Sequence, residues 1–424
     1  MTRFRHTAAV VPSVVGVGST DLGMLSLGSF SRGKRVPKPY EVDWGEGVYL
    51  VGEAVELYAR PVERMDLLRL ADGADTRALT YAALAAVLEP GEHTLSLMVG
   101  FPVQLLADRD QAKRVLRELR GWLHGTHRFR VDGRAYAVRV EHIQAMAQPA
   151  GAFFAWGMDD EGRWARAVND LKAPVAVMDI GFNTLDLFAV QNGRVVGQYT
   201  GGDTAGVRRA TALLRQFVLQ RYDVRLSHHQ ADALLRERHP MIHCAAGEVD
   251  LSDAVGQALE ATARSIQAFV EEQWGRGSQF RVVLATGGGA ALFRAYITAQ
   301  MPTVTVLPDP VTANALGLAR YGRRVFQAET VVGLDPGFGG FKAVLLSREE
   351  KAEDAAEEEV AKTPLEASQP VRPPQPAQPV PTGVPTVSES VPADVPTDPT
   401  GDPTGVPTAP TDVPTAQPVG TPQT

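Results

Sequence analysis

The stretch VVGLDPGFGGFKAVLLS, residues 331–347, has the pattern of a strand, a tight turn and a second strand. One apolar run leads into Asp335, and another follows Lys342. Lys342 can neutralise phosphate charge, while Asp335 can hold a hydrated magnesium ion through its water shell. Small residues between them permit the backbone conformations that let several N–H groups converge on an anion; they are Gly337, Gly339 and Gly340. The stretch therefore predicts a phosphate-binding hairpin.

A second stretch, VAVMDIGFNTLDLFAV at residues 175–190, repeats this pattern. Its first apolar run ends at Asp179, and its second apolar run carries Asp186. The turn between the runs contains a glycine and two polar residues, Gly181, Asn183 and Thr184. The second stretch predicts another hairpin of the same kind.

A third stretch, RVVLATGGGAALF at residues 281–293, predicts a strand, a glycine triplet and a helix. The triplet is Gly287, Gly288 and Gly289. It would place bare backbone at the start of a helix, where a nucleotide can approach closely. Taken alone, the triplet could equally be an ordinary tight turn between strand and helix.

Two such hairpins and the strand–triplet–helix unit together resemble the actin-like ATPase superfamily, and within it the bacterial plasmid-segregation actins of the ParM type. The resemblance extends over nearly all of residues 7–347. It implies an α/β fold of two actin-like, ribonuclease-H-like domains with a nucleotide cleft between them. It also implies that the chain binds ATP and Mg²⁺ in that cleft and hydrolyses the ATP.

The order of the three stretches differs from the family, in which the first phosphate hairpin opens the chain. Here that hairpin follows ANALG at residues 313–317, which resembles the family's closing helix, and TAAVVPSVVG at 7–16 resembles the third strand of the first domain. We therefore expect a circular permutant, because the termini of compact domains often lie close together. The expected organisation is domain I at 1–172 with a small subdomain at about 20–90, domain II at 173–322, completing strands of domain I at 323–347, and a disordered tail at 348–424.

The resemblance also implies roles for single residues. Asp335 and Asp179 would orient magnesium-bound waters. Gln148 stands where the family orients the attacking water, although an ordinary helix start is the alternative. Gly202 and Asp203 resemble the turn after the second hairpin, where Asp203 could equally be a helix N-cap. The other positions expected to bind the nucleotide are Gly337, Gly339, Gly340, Lys342, Gly181, Asn183, Thr184, Gly287, Gly288 and Gly289.

The charge of the chain is unevenly distributed. The net charge is −7, yet residues 348–424 contain 13 acidic and four basic residues, which leaves 36 acidic against 38 basic residues elsewhere. The near-neutral remainder gives no reason to expect direct nucleic-acid binding. The single cysteine, Cys244, excludes a disulfide framework, and no apolar run is long enough to span a bilayer. We expect a cytoplasmic protein with no membrane partner, whose Pro/Thr-rich tail cannot build a core.

Three functions are compatible with these observations. The first is an ATPase that polymerises into filaments of identical subunits and segregates plasmid DNA through a DNA-binding adaptor. The second is a non-polymerising, ATP-dependent scaffold or switch with the same fold. The third is a small-metabolite kinase, for which an aspartate base and an acceptor-binding insert should be visible; neither is clear in the sequence.

Overall fold

The computed structural model describes residues 4–20, 37–62, 73–245 and 247–348. Its strands are β1 Phe4–Pro12, β2 Val15–Val17, β3 Tyr40–Asp43, β4 Val48–Val51, β5 Gly91–Phe101, β6 Gly125–Val131, β7 Arg134–Ala147, β8 Val175–Ile180, β9 Leu185–Gln191, β10 Arg194–Val195, β11 Gly201–Asp203, β12 Met241–Cys244, β13 Gly247–Asp250, β14 Val282–Thr286, β15 Val304–Val306, β16 Thr330–Pro336 and β17 Gly340–Arg348.

The helices are α1 Ala74–Val87, α2 Val103–Ala107, α3 Arg109–Leu123, α4 Gln148–Gly157, α5 Val168–Lys172, α6 Arg208–Tyr222, α7 His228–Arg236, α8 Ser252–Trp274, α9 Gly288–Leu292, α10 Arg294–Gln300 and α11 Ala313–Phe326. Short 3-10 turns lie at Val55–Leu57 and Gly197–Tyr199. No helix in the described ranges combines the length and the apolar character needed to cross a membrane. Apart from Arg348, the predicted tail lies outside the described residues, as does part of the predicted small subdomain.

The first sheet has the strand order β1-β17-β16-β5-β7-β6-β3-β4-β2. Strand β16 pairs in parallel with β5 and antiparallel with β17, and β17 pairs antiparallel with β1. From Val331 onward, every residue of β16 is buried, as expected for a strand covered on both faces. The hairpin nearest the C-terminus therefore lies inside a sheet, between β1 and β5, and the other strands of that sheet come from the first 147 residues.

The second sheet has the order β10-β9-β8-β14-β15, with β11 paired to β9. Strands β8 and β9 form an antiparallel hairpin, and β14 lies parallel to β8 with Thr286 opposite Asp179. This register brings the glycine triplet, which follows β14, beside the turn of the hairpin. The strand–turn–strand predictions for residues 175–190 and 331–347 are thus confirmed, as is the strand–triplet–helix prediction for 281–293.

Helices α4 and α11 lie between the two sheets. Helix α11 packs through Ala315 and Ala319 against β17, while α4 packs through Phe153 against the second sheet. The two helices cross in close contact, because a Cβ atom at Gly317 would lie 1.7 Å from the Gly151 carbonyl oxygen. Further layers cover the outer faces of both sheets, which gives a layered, two-domain α/β fold.

The segment leading into α6 differs from its prediction. We expected the chain to enter a long helix directly through residues 201–203. Instead, these residues form the short strand β11, and α6 begins only at Arg208. The alternative in which Asp203 is the N-cap of that helix is therefore wrong: Val207 is the N-cap, and Asp203 accepts a hydrogen bond from the neighbouring Thr204 N–H at 2.7 Å.

Candidate functional site

A cleft of about 250 Å³ opens where the two hairpin turns and the glycine triplet meet. Both sheets contribute to its walls, since β16 and β8 end there. It is lined by the predicted residues Gln148, Asp179, Gly181, Asn183, Thr184, Gly287, Gly288, Gly289, Asp335, Gly337, Gly339, Gly340 and Lys342. The predicted residues Gly202 and Asp203 do not line it. Most of the lining was therefore predictable from the sequence, from four segments far apart in the chain.

The turn between β16 and β17 carries a buried ion pair. Asp335 and Lys342 lie opposite each other in the strand register, with Lys342 Nζ 3.2 Å from Asp335 Oδ2. Asp335 is 2% exposed, and its other oxygen, Oδ1, has no hydrogen-bond partner among the described residues. A buried carboxylate oxygen without a partner costs free energy unless a ligand satisfies it. The turn therefore presents one free acceptor next to a cation.

The turn between β8 and β9 supplies a second carboxylate. Asp179 is 5% exposed, and Asn314 donates a hydrogen bond from Nδ2 to Asp179 Oδ2 at 2.7 Å. Burial is the main cause that raises the pKa of Asp179, and the nearby Asp335 charge raises it further, while Lys342 and the Asn314 hydrogen bond oppose the rise. A cation between the two carboxylates would relieve this repulsion.

Glycine is required at the first position of the triplet. Gly287 has φ +88°, and a Cβ atom there would lie 2.4 Å from Asp179 Oδ1. Its N–H donates to the Pro310 carbonyl at 2.7 Å, which fixes the turn against the segment before α11. The triplet therefore lets the backbone approach the carboxylate of the hairpin, and its predicted contact with a nucleotide stays a prediction.

Arg236 closes the cleft on the side of the triplet. Its Nη1 donates to the Gly288 carbonyl at 3.0 Å, and its guanidinium is paired with Asp232. Both side chains line the cleft. They come from α7, which contains none of the residues predicted for the site.

Gln148 begins α4, directly before a proline in the first helical turn. Its side chain is 5% exposed, and Nε2 donates to the Pro336 carbonyl at 2.9 Å. This bond orients the amide between the end of β16 and the cleft, and it leaves the side-chain carbonyl oxygen as the acceptor that a water molecule could use. The helix-start alternative is thus true of Gln148, and it is compatible with a role in the cleft.

Thr184 lines the cleft, but its hydroxyl has a partner already. It donates to Asp186 Oδ2 at 3.0 Å. A hydroxyl that donates to a carboxylate cannot donate the same proton to a phosphate oxygen. The expectation that the Thr184 hydroxyl holds phosphate therefore conflicts with its observed hydrogen bond.

Asp186 is a buried residue for which no role was predicted. It is 0% exposed, and its Oδ1 accepts a hydrogen bond from the backbone N–H of Val103 at 3.0 Å. Val103 opens α2, which follows β5 of the first sheet, so this bond joins the two sheets. Burial, with the charges of Asp179 and Asp335, raises the pKa of Asp186 to about 7, against the hydrogen bonds from Thr184 and Val103.

The donor set suits a hydrated divalent cation beside an anion. Two carboxylates, Asp335 and Asp179, line the cleft from opposite sheets, and the described residues contain no cluster of three or more His, Cys, Asp or Glu side chains that could hold a metal directly. Binding through water is the usual mode of Mg²⁺, which dehydrates reluctantly. Lys342 and the turn amides face the same space and suit phosphate oxygens. The arrangement can therefore position and neutralise a magnesium–phosphate group.

Comparison with known proteins places the chain in a family. A family model described as actin like proteins, N-terminal domain, matches residues 2–151, and a model described as archaeal actin homologue MreB-like, C-terminal, matches residues 177–298. No curated protein matches the chain.

Solved structures share its fold at low sequence identity. The apo psk41 ParM protein is 15% identical with a TM-score of 0.53, over 75% of this chain and 91% of that one. A 15-stranded ParM filament from Clostridium botulinum is 17% identical with a TM-score of 0.56, over 74% and 92%. The archaeal actin homologue Ta0583 in complex with ADP is 16% identical with a TM-score of 0.53, over 69% and 92%. With two family models that together span more than half of its length, the chain belongs to the actin-like protein superfamily.

Proposed function

We propose that the chain binds Mg–ATP in the cleft and hydrolyses it. The observation that carries this proposal is the unpartnered Oδ1 of buried Asp335, which lies beside Lys342 and across the cleft from Asp179. The archaeal relative in complex with ADP supports a nucleotide as the ligand. When bound, the magnesium ion would neutralise charge that develops on the phosphate oxygens.

Phosphoryl transfer to water depends mostly on positioning and on charge neutralisation, and different residues of the cleft supply each of these. Asp335 and Asp179 would hold a hydrated magnesium ion through its water shell. Lys342 and the backbone amides of both turns neutralise and hold the phosphates. Gln148, held by its bond to Pro336, uses its carbonyl oxygen to orient the attacking water. Thr184 acts through Asp186 instead of through a direct phosphate contact.

We further propose that the ATP-bound protein polymerises into filaments of identical subunits and that these filaments segregate plasmid DNA through an adaptor. The support is the fold that the chain shares with the Clostridium botulinum ParM filament. Closure of the two domains on ATP and their relaxation after hydrolysis would control the polymer.

The test is pelleting and negative-stain microscopy with ATP, with ADP and without nucleotide, on the wild type and on Asp179→Asn. We expect filaments that require ATP and that are lost or altered in the variant. Arg276→Glu, an exposed arginine outside the cleft, is the control and should behave as wild type. Hydrolysis without polymer would point to a monomeric switch, and ADP release that depends on an added sugar would point to a kinase.

We also propose that the chain is a circular permutant of the actin-like fold. The support is the position of β16 and β17 between β5 and β1, which in the chain come more than 200 residues earlier. Removal of these central strands should prevent the first sheet from closing. A fragment of residues 1–324 should therefore lack cooperative unfolding and ATP binding, and a fragment of residues 1–350 should retain both; a folded, ATP-binding 1–324 fragment would contradict the proposal.

A further inference from the structure

An open groove of about 610 Å³ lies along α6, on the domain built around the second sheet. Four arginines line it: Arg208, Arg209, Arg215 and Arg225. We call it the arginine groove. No described carboxylate is among its lining residues. The groove is thus a concave surface of one charge sign on a chain whose residues 1–347 are nearly neutral in total.

The arginines have few partners that compensate their charge. None of the ion pairs among the described residues involves any of the four. Arg215 donates from Nε to the Leu226 carbonyl at 2.7 Å, and this bond fixes its guanidinium over the groove. The field of Arg215 and Arg208 adds to burial in lowering the pKa of His228, which also lines the groove, to about 4. The surface therefore repels further cations and attracts anions.

An apolar side chain accompanies the charge. Leu219 lines the groove and is 41% exposed. A phosphate-rich duplex would leave Leu219 without an apolar contact, whereas a polypeptide with both acidic and apolar side chains could satisfy the arginines and cover Leu219. The groove therefore fits an acidic peptide better than a nucleic acid.

The chain itself contains a segment of this chemistry. Residues 349–359 read EEKAEDAAEEE, with seven acidic residues, one lysine and three alanines, and Val360 follows. It is the most acidic stretch of the sequence, and it begins directly after β17. Charge complementarity thus identifies an occupant for the arginine groove within the same sequence.

The course of β17 argues against docking within one subunit. The Gly340 end of β17 lies near the groove, because Phe182 contacts the turn at Gly339 and its carbonyl accepts a hydrogen bond from Arg208 N–H at 2.7 Å. Arg348 ends the strand eight residues further on, roughly 26 Å away at about 3.3 Å per residue. An extended segment of 11 residues spans at most about 36 Å, so only its last residues could return to the nearest arginine. A segment from another subunit is free of this restriction.

We propose that the arginine groove binds the acidic segment 349–359 of a second copy of this chain. The contact consists of carboxylates on the four guanidiniums and of alanine and valine side chains on Leu219. It does not depend on nucleotide in the cleft, so it can be tested apart from the proposed ATPase.

The first measurement is the fluorescence anisotropy of a labelled peptide, EEKAEDAAEEEV, titrated with the full chain at low salt and without nucleotide. The chain used here carries a neutralised segment, so that its own residues do not compete; its substitutions are Glu349→Gln, Glu350→Gln, Glu353→Gln, Asp354→Asn, Glu357→Gln, Glu358→Gln and Glu359→Gln. We expect saturable binding that weakens with added salt. The double variant Arg209→Glu, Arg225→Glu should bind the peptide at least about tenfold more weakly.

Two controls separate a specific groove from general attraction. Arg276→Glu makes the same charge change on an exposed arginine outside the groove and should alter the affinity less than about twofold. A peptide with lysine at each acidic position should bind the Arg209→Glu, Arg225→Glu variant better than it binds the parent. Equal losses in the Arg276→Glu variant, or no peptide binding at all, would overturn the proposal, as would a duplex DNA that binds through these arginines when the peptide does not.

The second measurement is the mass of the natural full chain, without nucleotide, over a range of concentrations. If a second copy occupies the groove, the natural chain should self-associate at low salt. This self-association should be lost in the chain with the neutralised segment and in the arginine variant. If the natural chain stays monomeric at every concentration and does not bind the peptide, although the neutralised chain does, the segment docks within its own subunit. That result would refute the assignment to a second copy. The ATP affinity of the arginine variant, measured in parallel, reports whether its fold is intact.

Discussion

Replacement of Asp186 by asparagine should change how stability depends on pH. In the folded protein this carboxyl is fully buried, and burial with the charges of Asp179 and Asp335 raises its pKa to about 7. Asparagine has nearly the same shape. Its side-chain oxygen can accept the Val103 N–H, and its amide can donate to the Thr184 hydroxyl oxygen. A protonated Asp186 would do the same, which reverses the hydrogen bond that Thr184 donates when Asp186 is ionised. The variant therefore keeps the contacts and removes the titration.

The sign and size of the effect follow from linkage. Asp186 has a pKa of about 7 when folded, and an unfolded aspartate titrates near 3.9. The folded state therefore binds this proton more tightly, so its stabilising contribution is full below about pH 4 and is lost as the pH rises through 7. Three pKa units correspond to about 4 kcal/mol, with a slope near 1.4 kcal/mol per pH unit between about pH 4.5 and 6.5.

The assay is urea unfolding of wild type and Asp186→Asn at half-unit steps from pH 4.5 to 8.5. The free energy of unfolding of the variant, minus that of wild type, should rise with pH up to about 7 and then become level. Asp110→Asn, at a side chain that is 93% exposed, is the control and should follow wild type. A difference curve that is flat, or that falls with pH, would refute the assignment of a protonated Asp186 in the folded protein.

Two further predictions concern the cleft. Gly287→Ala should destabilise the fold by about 3 kcal/mol and weaken nucleotide binding, because φ at Gly287 is +88° and the new Cβ atom would lie 2.4 Å from a carboxylate oxygen. Urea unfolding measures the loss of stability. The control, Gly133→Ala, should lose only about 1 kcal/mol in the same assay, since φ there is +77° and the space around the new Cβ atom is open. Lys342→Met leaves buried Asp335 without its cation, so calorimetry should show an Mg–ATP affinity at least about tenfold lower. The exposed Lys113→Met should leave the affinity unchanged, and a Lys342→Met protein that binds like wild type would contradict the proposed phosphate site.

The sequence carried enough information to predict both hairpins and the triplet. Their signals are local: a buried strand is an apolar run, and a tight turn needs small residues. That the C-terminal hairpin completes the first domain was also predictable, but only through the resemblance, because no pattern within residues 331–347 identifies the neighbouring strands. Strand pairing between β16 and β5 joins segments separated by more than 200 residues.

Residues that act through a single long-range contact were not predictable. Asn314 bonds to Asp179 from a helix 135 residues away, and Val103 bonds to Asp186 across 83 residues. Neither bond has a periodicity or a spacing that marks it. The misplacement of Asp203 has another cause: an acidic residue in a Gly-rich turn before a helix is typical of an N-cap, yet pairing with β9 kept residues 201–203 in a strand.

The strand order of the first sheet has a consequence for synthesis of the chain. Strand β5 ends at Phe101 and its neighbour β16 begins at Thr330, so roughly 230 residues are translated between the two halves of one hydrogen-bonded ladder. At the usual 5–20 residues per second, that interval lasts roughly ten seconds or longer. The second sheet, complete by Val306, can form during this time, while one edge of β5 remains unpaired and apolar. We therefore expect the domain around the second sheet to fold first, and the open edge of β5 is exposed to incorrect strand pairing until β16 has been made.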